Sequence, residues 1–183
     1  MQRENTAFLV MDVQPGIVDR LKNRDEYLNA VKQAVDAARN HHIPVMYIVV
    51  GFRKGFPEVS KNNKAFQTLL KTGADHLIEP KPLVIPAEDE VVITKKRISA
   101  FAGSDLEVML SARDIRHLIL CGVSTSGVVL STLRQAADKD FELIVLSDLC
   151  GDPDEEVHSF LLGKIFPRQA NVTTSNEWIA SLD

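Results

Sequence analysis

The stretch LILCGVSTSGVVLST, Leu118–Thr132, reads as a buried strand that breaks at Gly122 and restarts as a helix. Four apolar residues in a row leave no polar face, as in a strand covered on both sides by helices. Beyond the break, Leu130, Leu133 and Ala137 fall at helical spacing within a helix predicted over Ser126–Lys139. The same grammar recurs along the chain. FLVM, YIVV and LIVL are equally apolar cores of predicted strands at Ala7–Asp12, Pro44–Val50 and Phe141–Ser147, and further strands are predicted at Val91–Thr94, Arg116–Gly122 and Ala170–Thr174.

Helix signals lie between these strands. Leu28, Val31, Val35 and Ala38 make one apolar stripe. Ser104 and Glu107 predict a capping box, and Asp152, Pro153 and Glu155 an N-cap, a first-turn proline and an acidic first turn. Val157, Leu161 and Ile165 form the expected inner face of that last helix, which Pro167 closes. Strand–helix alternation of this kind predicts an α/β fold: a three-layer α/β/α arrangement around a six-stranded, mostly parallel sheet in the order 3-2-1-4-5-6. A single domain over residues 1–183 is expected.

The bulk composition narrows the function classes. A net charge of −4 leaves no basic surface for nucleic acid. The longest apolar run, around PVMYIVVGF, is too short to cross a bilayer, and the first residues lack a secretion pattern, so a cytoplasmic protein without a membrane partner is expected. The two cysteines, Cys121 and Cys150, make neither a disulfide framework nor a zinc spacing. Cys121 is expected as an inert buried thiol. Cys150 is placed just after the fifth strand, at the functional edge.

In doubly wound folds ligands bind beyond the carboxyl ends of the strands, where strand order reverses. Two breaks meet that description: Asp12 with Val13-Gln14-Pro15-Gly16, and Gly122 to Val128. Asp12 ends an apolar strand, where it serves either as a cap for the following turn or as an acid/base group. Lys95 also leaves a strand end and needs a carboxylate partner if it is more than surface charge. Ser124, Thr125 and Ser126 are either helix caps or part of a turn whose N–H groups hold an oxyanion. The stretch does not match the G-x-S-x-G nucleophile elbow. Arg53, after the second strand, is a candidate for holding an anion. The five histidines show no ligand spacing and are expected at the surface, so no metal and no cofactor is expected.

Four segments taken in order carry a family resemblance along most of the chain. They are TAFLVMDVQ (6–14), TKKRISAFAGSDLEVML (94–110), LILCGVSTSGVVLSTLRQAADKDFELIVLSD (118–148) and LLGKIFPRQANVTT (161–174). The chain resembles the isochorismatase-like hydrolases, or cysteine hydrolase superfamily, which includes isochorismatases, nicotinamidases and N-carbamoylsarcosine amidohydrolases. The resemblance implies that Asp12 and Lys95 are the catalytic aspartate and lysine, the lysine lying six residues before Phe101. It implies a cis peptide at Val123–Ser124 that helps aim the next N–H groups at a substrate oxygen. Ser124, Thr125, Ser126, Gly127, Val128, Gln14, Arg53 and Phe101 form the expected oxyanion- or substrate-binding set. A homo-oligomer acting on a small-molecule substrate is also implied.

Two departures qualify the resemblance. Amidase members carry G-V-x-T-x-x-C, whose cysteine is the nucleophile; Val128 stands at that position here. The Asp/His metal cluster of nicotinamidases has no counterpart in VVGFRKGFPEV (49–59). The expectation is therefore an isochorismatase-type hydrolase in which Asp12 acts as general acid and Lys95 orients an anionic substrate, without a thioester. Two alternatives stand beside it: an amidase-like hydrolase using Ser126 as a substitute nucleophile, and a non-catalytic small-molecule-binding protein on the same scaffold.

Overall fold

A computed structural model describes residues 5–71 and 73–182. Six strands form one parallel sheet: β1 (Thr6–Met11), β2 (Val45–Val50), β3 (Val91–Lys95), β4 (His117–Val123), β5 (Glu142–Gly151) and β6 (Asn171–Thr173). Their order is β3-β2-β1-β4-β5-β6, and every neighbouring pair is parallel. Order reverses between β1 and β4, so the two breaks picked out above are adjacent in space.

Strand alternation divides the core into two layers. Ala7, Leu9 and Met11 of β1 face one side, joined by Leu118 and Leu120 of β4 and by Leu133 and Ala136 of α4 (Leu130–Ala137). Phe8 and Val10 face the other, with Ile119 and Cys121, against Val31, Val35 and Ala38 of α1 (Arg24–Asn40). The first layer is also covered by α3 (Leu106–Ala112), and the second by Trp178 of α6 (Ser175–Ala180). Burial on both faces is the physical reason these strands lack polar alternation. A smaller cluster of Val50, Phe52, Phe66, Ala74 and Leu77 closes the carboxyl end of β2 together with α2 (Lys64–Lys71).

Gly122 is required at the switch point. A Cβ there would lie 2.1 Å from the Met11 carbonyl oxygen, so no larger residue lets β1 and β4 approach as they do.

Several local expectations are corrected. The strand β5 runs on to Gly151, through a register irregularity opposite Leu120–Gly122. Cys150 is therefore a buried strand residue paired with Gly122, not a loop thiol. The Ser104–Glu107 capping box does not form: Ser104 Oγ donates to the Ala100 carbonyl, and Glu107 pairs with Lys139 Nζ at 2.7 Å. Asp154, rather than Asp152, caps α5 (Glu155–Phe160), accepting from Val157 N at 3.1 Å. Val157 is 38% exposed, so that helix buries less of its predicted inner face than its spacing suggests.

Candidate active site

Asp12 follows the last residue of β1 and takes a positive φ of 55°. Its N–H donates to the Ile48 carbonyl at 2.7 Å, which fixes the backbone where it leaves the sheet. Lys95 ends β3, two strands away and roughly 10 Å across the sheet, in register with Val50. Its side chain crosses the end of β2 and places Nζ 2.9 Å from Asp12 Oδ2. Nζ also donates to the carbonyls of Arg97 at 2.9 Å and Ile98 at 3.0 Å. An ammonium has three donors, and all three are occupied. Lys95, only 2% exposed, thus holds Asp12 and has no donor left for an anionic substrate, contrary to expectation.

The other carboxyl oxygen, Asp12 Oδ1, is buried and makes no hydrogen bond among the described residues. Two forces act on the proton affinity of Asp12. Burial raises it, because the charged form loses its water; the charge and hydrogen bond of Lys95 lower it. Burial prevails, and the Asp12 pKa is pushed up to about 6.

This pair borders a cavity of about 300 Å³ at the carboxyl ends of the strands. Ile17, Val50, Phe66, Leu69, Leu77 and Val128 supply much of its apolar wall. His76, Arg20, Ser126 and Asp152 bring further polar groups to it. No cysteine lines it among the described residues. Cys121 belongs to the core layer under α1 and Cys150 to the opposite layer. Burial raises both thiols, Cys121 well above its ordinary range and Cys150 up to about 12. Such shifts hold both buried thiols in the neutral form at neutral pH. Also among the described residues, no three His, Cys, Asp or Glu side chains are grouped to hold a metal ion, and no helix is long and apolar enough to cross a membrane.

The turn after β4 has a cis peptide at Val123–Ser124 and coils into one wide turn, Thr125–Val129, before α4. Ser124, Ser126, Gly127 and Val128 border the cavity. Thr125 does not: its side chain is fully buried, with Oγ1 2.8 Å from His158 Nδ1. Two of the expected oxyanion donors are committed within the protein. Gly127 N donates to Ser124 O at 3.1 Å, and Ser126 N to Asp152 Oδ2 at 2.8 Å. Ser126 Oγ donates to that same Asp152 oxygen at 2.6 Å.

Three other candidates stand away from the cavity. Gln14 ties the ends of β1 and β2 together: Val50 N donates to its Oε1 at 2.8 Å, and its Nε2 donates to Val50 O at 3.1 Å. Arg53 is 76% exposed and pairs with Glu58 at 2.7 Å. Phe101 packs in the core against Phe141, with ring centres 6.1 Å apart.

The structure adds residues that sequence reasoning missed. His76, expected at the surface, lines the cavity from a short turn, Asp75–Leu77. That loop is drawn back to the sheet where Phe52 N donates to Leu77 O at 2.9 Å. The imidazole packs on Gly16, which has a φ of +75°; a Cβ there would lie 2.4 Å from His76 Cδ2. Arg20 and Asp152 also reach the cavity wall. The Pro15-Gly16 pair was the sole sequence signal for that packing, and nothing in it names the histidine.

Comparison with known proteins places the chain in a family. A family model described as an isochorismatase domain matches residues 6–177. An uncharacterized isochorismatase family protein of Escherichia coli O157:H7, YecD, is 28% identical over 185 residues, spanning 100% of this chain and 98% of that protein. The ureidoacrylate amidohydrolase RutB of Stutzerimonas stutzeri is 25% identical over 214 residues, spanning 100% of this chain and 82% of that protein. In fold, the chain matches the crystal structure of a cysteine hydrolase from Pseudomonas syringae pv. phaseolicola. The TM-score is 0.87 at 24% identity, covering 100% of this chain and 94% of the other.

Proposed function

The chain belongs to the isochorismatase family, and from that premise we propose that it is a small-molecule hydrolase working by proton donation from Asp12, without a covalent thioester. One observation carries this reading: a buried carboxyl with its pKa near 6, anchored through Oδ2 by Lys95, faces a cavity that no thiol lines. Val128 lines the cavity, which supports this reading: the resemblance puts the amidases' nucleophile at that position, and an isopropyl group cannot attack a carbonyl.

The chemistry that fits is cleavage of an enol ether. Because Lys95 donates to Oδ2, the proton of neutral Asp12 belongs on Oδ1, the oxygen without a partner. Transfer of that proton to the substrate's terminal vinyl carbon leaves an oxocarbenium ion. Water adds to the cationic carbon and returns a proton to the Asp12 carboxylate. The resulting hemiketal then splits into a carbonyl compound and an alcohol. At pH 7 a group with a pKa near 6 is protonated about a tenth of the time, so the donor form is accessible at neutral pH. The apolar wall keeps bulk water from competing for the proton.

A second reading is favoured by a different observation. Ser126 Oγ donates to Asp152 at 2.6 Å, which gives a hydroxyl and a carboxylate acceptor side by side on the cavity wall. With an amidohydrolase among the relatives, an amidase using Ser126 as nucleophile and Asp152 as base is the competing mechanism.

The test is a hydrolysis screen of vinyl ethers, amides and carbamoyl compounds with wild-type protein, Asp12→Asn and Ser126→Ala. The proposed reading expects turnover of a vinyl ether that falls on the order of 10²–10⁴-fold in Asp12→Asn and at most a few-fold in Ser126→Ala. Turnover of an amide that survives in Asp12→Asn and is lost in Ser126→Ala would replace it with the second reading. Inactivity on all three classes, with specific binding retained, would leave a binding protein on the same scaffold.

A further inference from the structure

The polar groups that the proposed chemistry leaves unused are not scattered; two of them line the same cavity. His76 Nε2 is buried and makes no hydrogen bond among the described residues. Its ring packs against Gly16. Arg20 reaches the cavity wall from an exposed position, and among the described residues its guanidinium makes neither an ion pair nor a side-chain hydrogen bond. The carboxylates there already have hydrogen-bond donors. Asp12 is held by Lys95. Asp152 accepts from Ser126 N, Ser126 Oγ and Asp154 N. A buried imidazole nitrogen without a partner and a guanidinium without a counterion are what an anionic ligand would complete.

We infer that His76 and Arg20 form a carboxylate subsite, so that the protein takes small, mostly apolar carboxylic acids, with the carboxylate on His76 Nε2 and Arg20 and the apolar body along Phe66, Leu69 and Leu77. The inference rests on the reading of this cavity as the substrate site. A volume of about 300 Å³ is room for on the order of ten waters, which limits the ligand to about one ring or a short chain. Lys95 cannot serve as the anchor, because its three donors are occupied. The Asp12 carboxyl repels a second carboxylate when ionised, which drives the ligand's charged end to the His76 and Arg20 side. A bound carboxylate in turn favours the neutral, proton-donating form of Asp12. His76 and Arg20 are thus specificity-determining residues, distinct from the proton donor.

Benzoate and benzamide, equal in shape and different in charge, are the probes. Their binding to the full chain is measured by calorimetry and by the imidazole ¹⁵N signals of histidine-labelled protein, with no turnover needed. Benzoate is expected to bind on the order of tenfold to a hundredfold more tightly than benzamide and to move the His76 Nε2 resonance. His76→Leu and Arg20→Gln should each abolish most of that preference, by weakening benzoate binding far more than benzamide binding. His76→Gln, which keeps a donor, should restore part of it. Each variant is first checked for wild-type thermal stability; should His76→Leu fail that check, Arg20→Gln and His76→Gln decide. Equal affinity for the two probes, no benzoate binding, or a preference that survives both His76→Leu and Arg20→Gln overturns the inference. Acid catalysis fails separately: a protein that discriminates the probes but cleaves no vinyl ether keeps this subsite and loses the Asp12 mechanism.

Discussion

Replacing Lys95 with Met should raise the proton affinity of Asp12 while leaving the fold in place. Methionine fills a similar length without charge, which suits a side chain that is 2% exposed. In the wild type, burial raises the Asp12 pKa, and the Lys95 contact at 2.9 Å holds it down near 6. A close opposite charge lowers a carboxyl pKa by on the order of one to three pH units, so the midpoint should move from about 6 into the range of roughly 7–9. The carboxyl ¹³C signal of labelled Asp12, assigned with Asp12→Asn, reads this directly in the free protein. Stability supplies a second readout. The folded pKa lies above the ordinary value of 3.8, so the native state binds more protons than the unfolded chain between about 3.8 and 6, and stability falls as pH rises through that window. In Lys95→Met the fall should continue to the new midpoint. The variant should therefore lose about 1.4 kcal/mol relative to wild type per pH unit across the added interval, on top of a smaller, pH-independent loss from the freed Arg97 and Ile98 carbonyls. A midpoint that stays near 6 or drops would show that Lys95 does not set the charge state of Asp12, and the proposed division of roles would fail.

Three further outcomes check other links. Alkylation with iodoacetamide at pH 8 should leave any hydrolytic activity intact and should modify neither cysteine in the folded state, because Cys121 and Cys150 are buried with raised pKa values; loss of activity in step with labelling refutes this. Gly122→Ala should destabilise the protein by more than about 4 kcal/mol in denaturant titrations, since its Cβ would lie 2.1 Å from a backbone oxygen; a loss under about 1 kcal/mol would mean that β1 and β4 are not in such close contact. Asp152→Asn should weaken the tie between the β4 turn and the segment before α5, lowering stability by on the order of 1–2 kcal/mol, and should leave the Asp12 midpoint near 6; a shifted midpoint would place Asp152 in the same electrostatic unit.

The sheet was legible because its central strands are largely apolar on both faces, a pattern that few other arrangements tolerate. The pair of strand ends at Asp12 and Gly122 then located the cavity from topology alone. What failed was local. Ser147 and Asp148 look like the end of β5, yet the strand continues, because a register irregularity lets Cys150 and Gly151 pair with Gly122 and Val123. Asp152 looks like a cap for α5, but Asp154 takes that place and Asp152 accepts two bonds from Ser126 instead. Capping motifs specify that a short polar side chain will find a backbone N–H, and here a more distant N–H competes successfully.

Direction was the harder quantity at the site. Asp12 and Lys95 were recoverable because position at a strand end made each a candidate and the family resemblance singled them out, Lys95 rather than Lys96. Thr125 and Ser126 are neighbours on one turn, yet one turns away from the cavity to His158 and the other bonds Asp152 at the cavity. Gln14 and Arg53 also lie within a few residues of the right strand ends. One is turned to the Val50 backbone and the other to Glu58. His76 shows the converse. No motif surrounds it, and its loop is placed by Phe52–Leu77 backbone pairing and by the absence of a side chain at Gly16. A sequence position near a strand end fixes where a side chain begins. Which way it points is set by the nearest unsatisfied partner, and that partner is usually distant in the chain. For this reason Asp12, Lys95 and the turn that brings Ser124, Ser126, Gly127 and Val128 to the cavity could be read in advance, and His76, Arg20 and Asp152 on its wall could not.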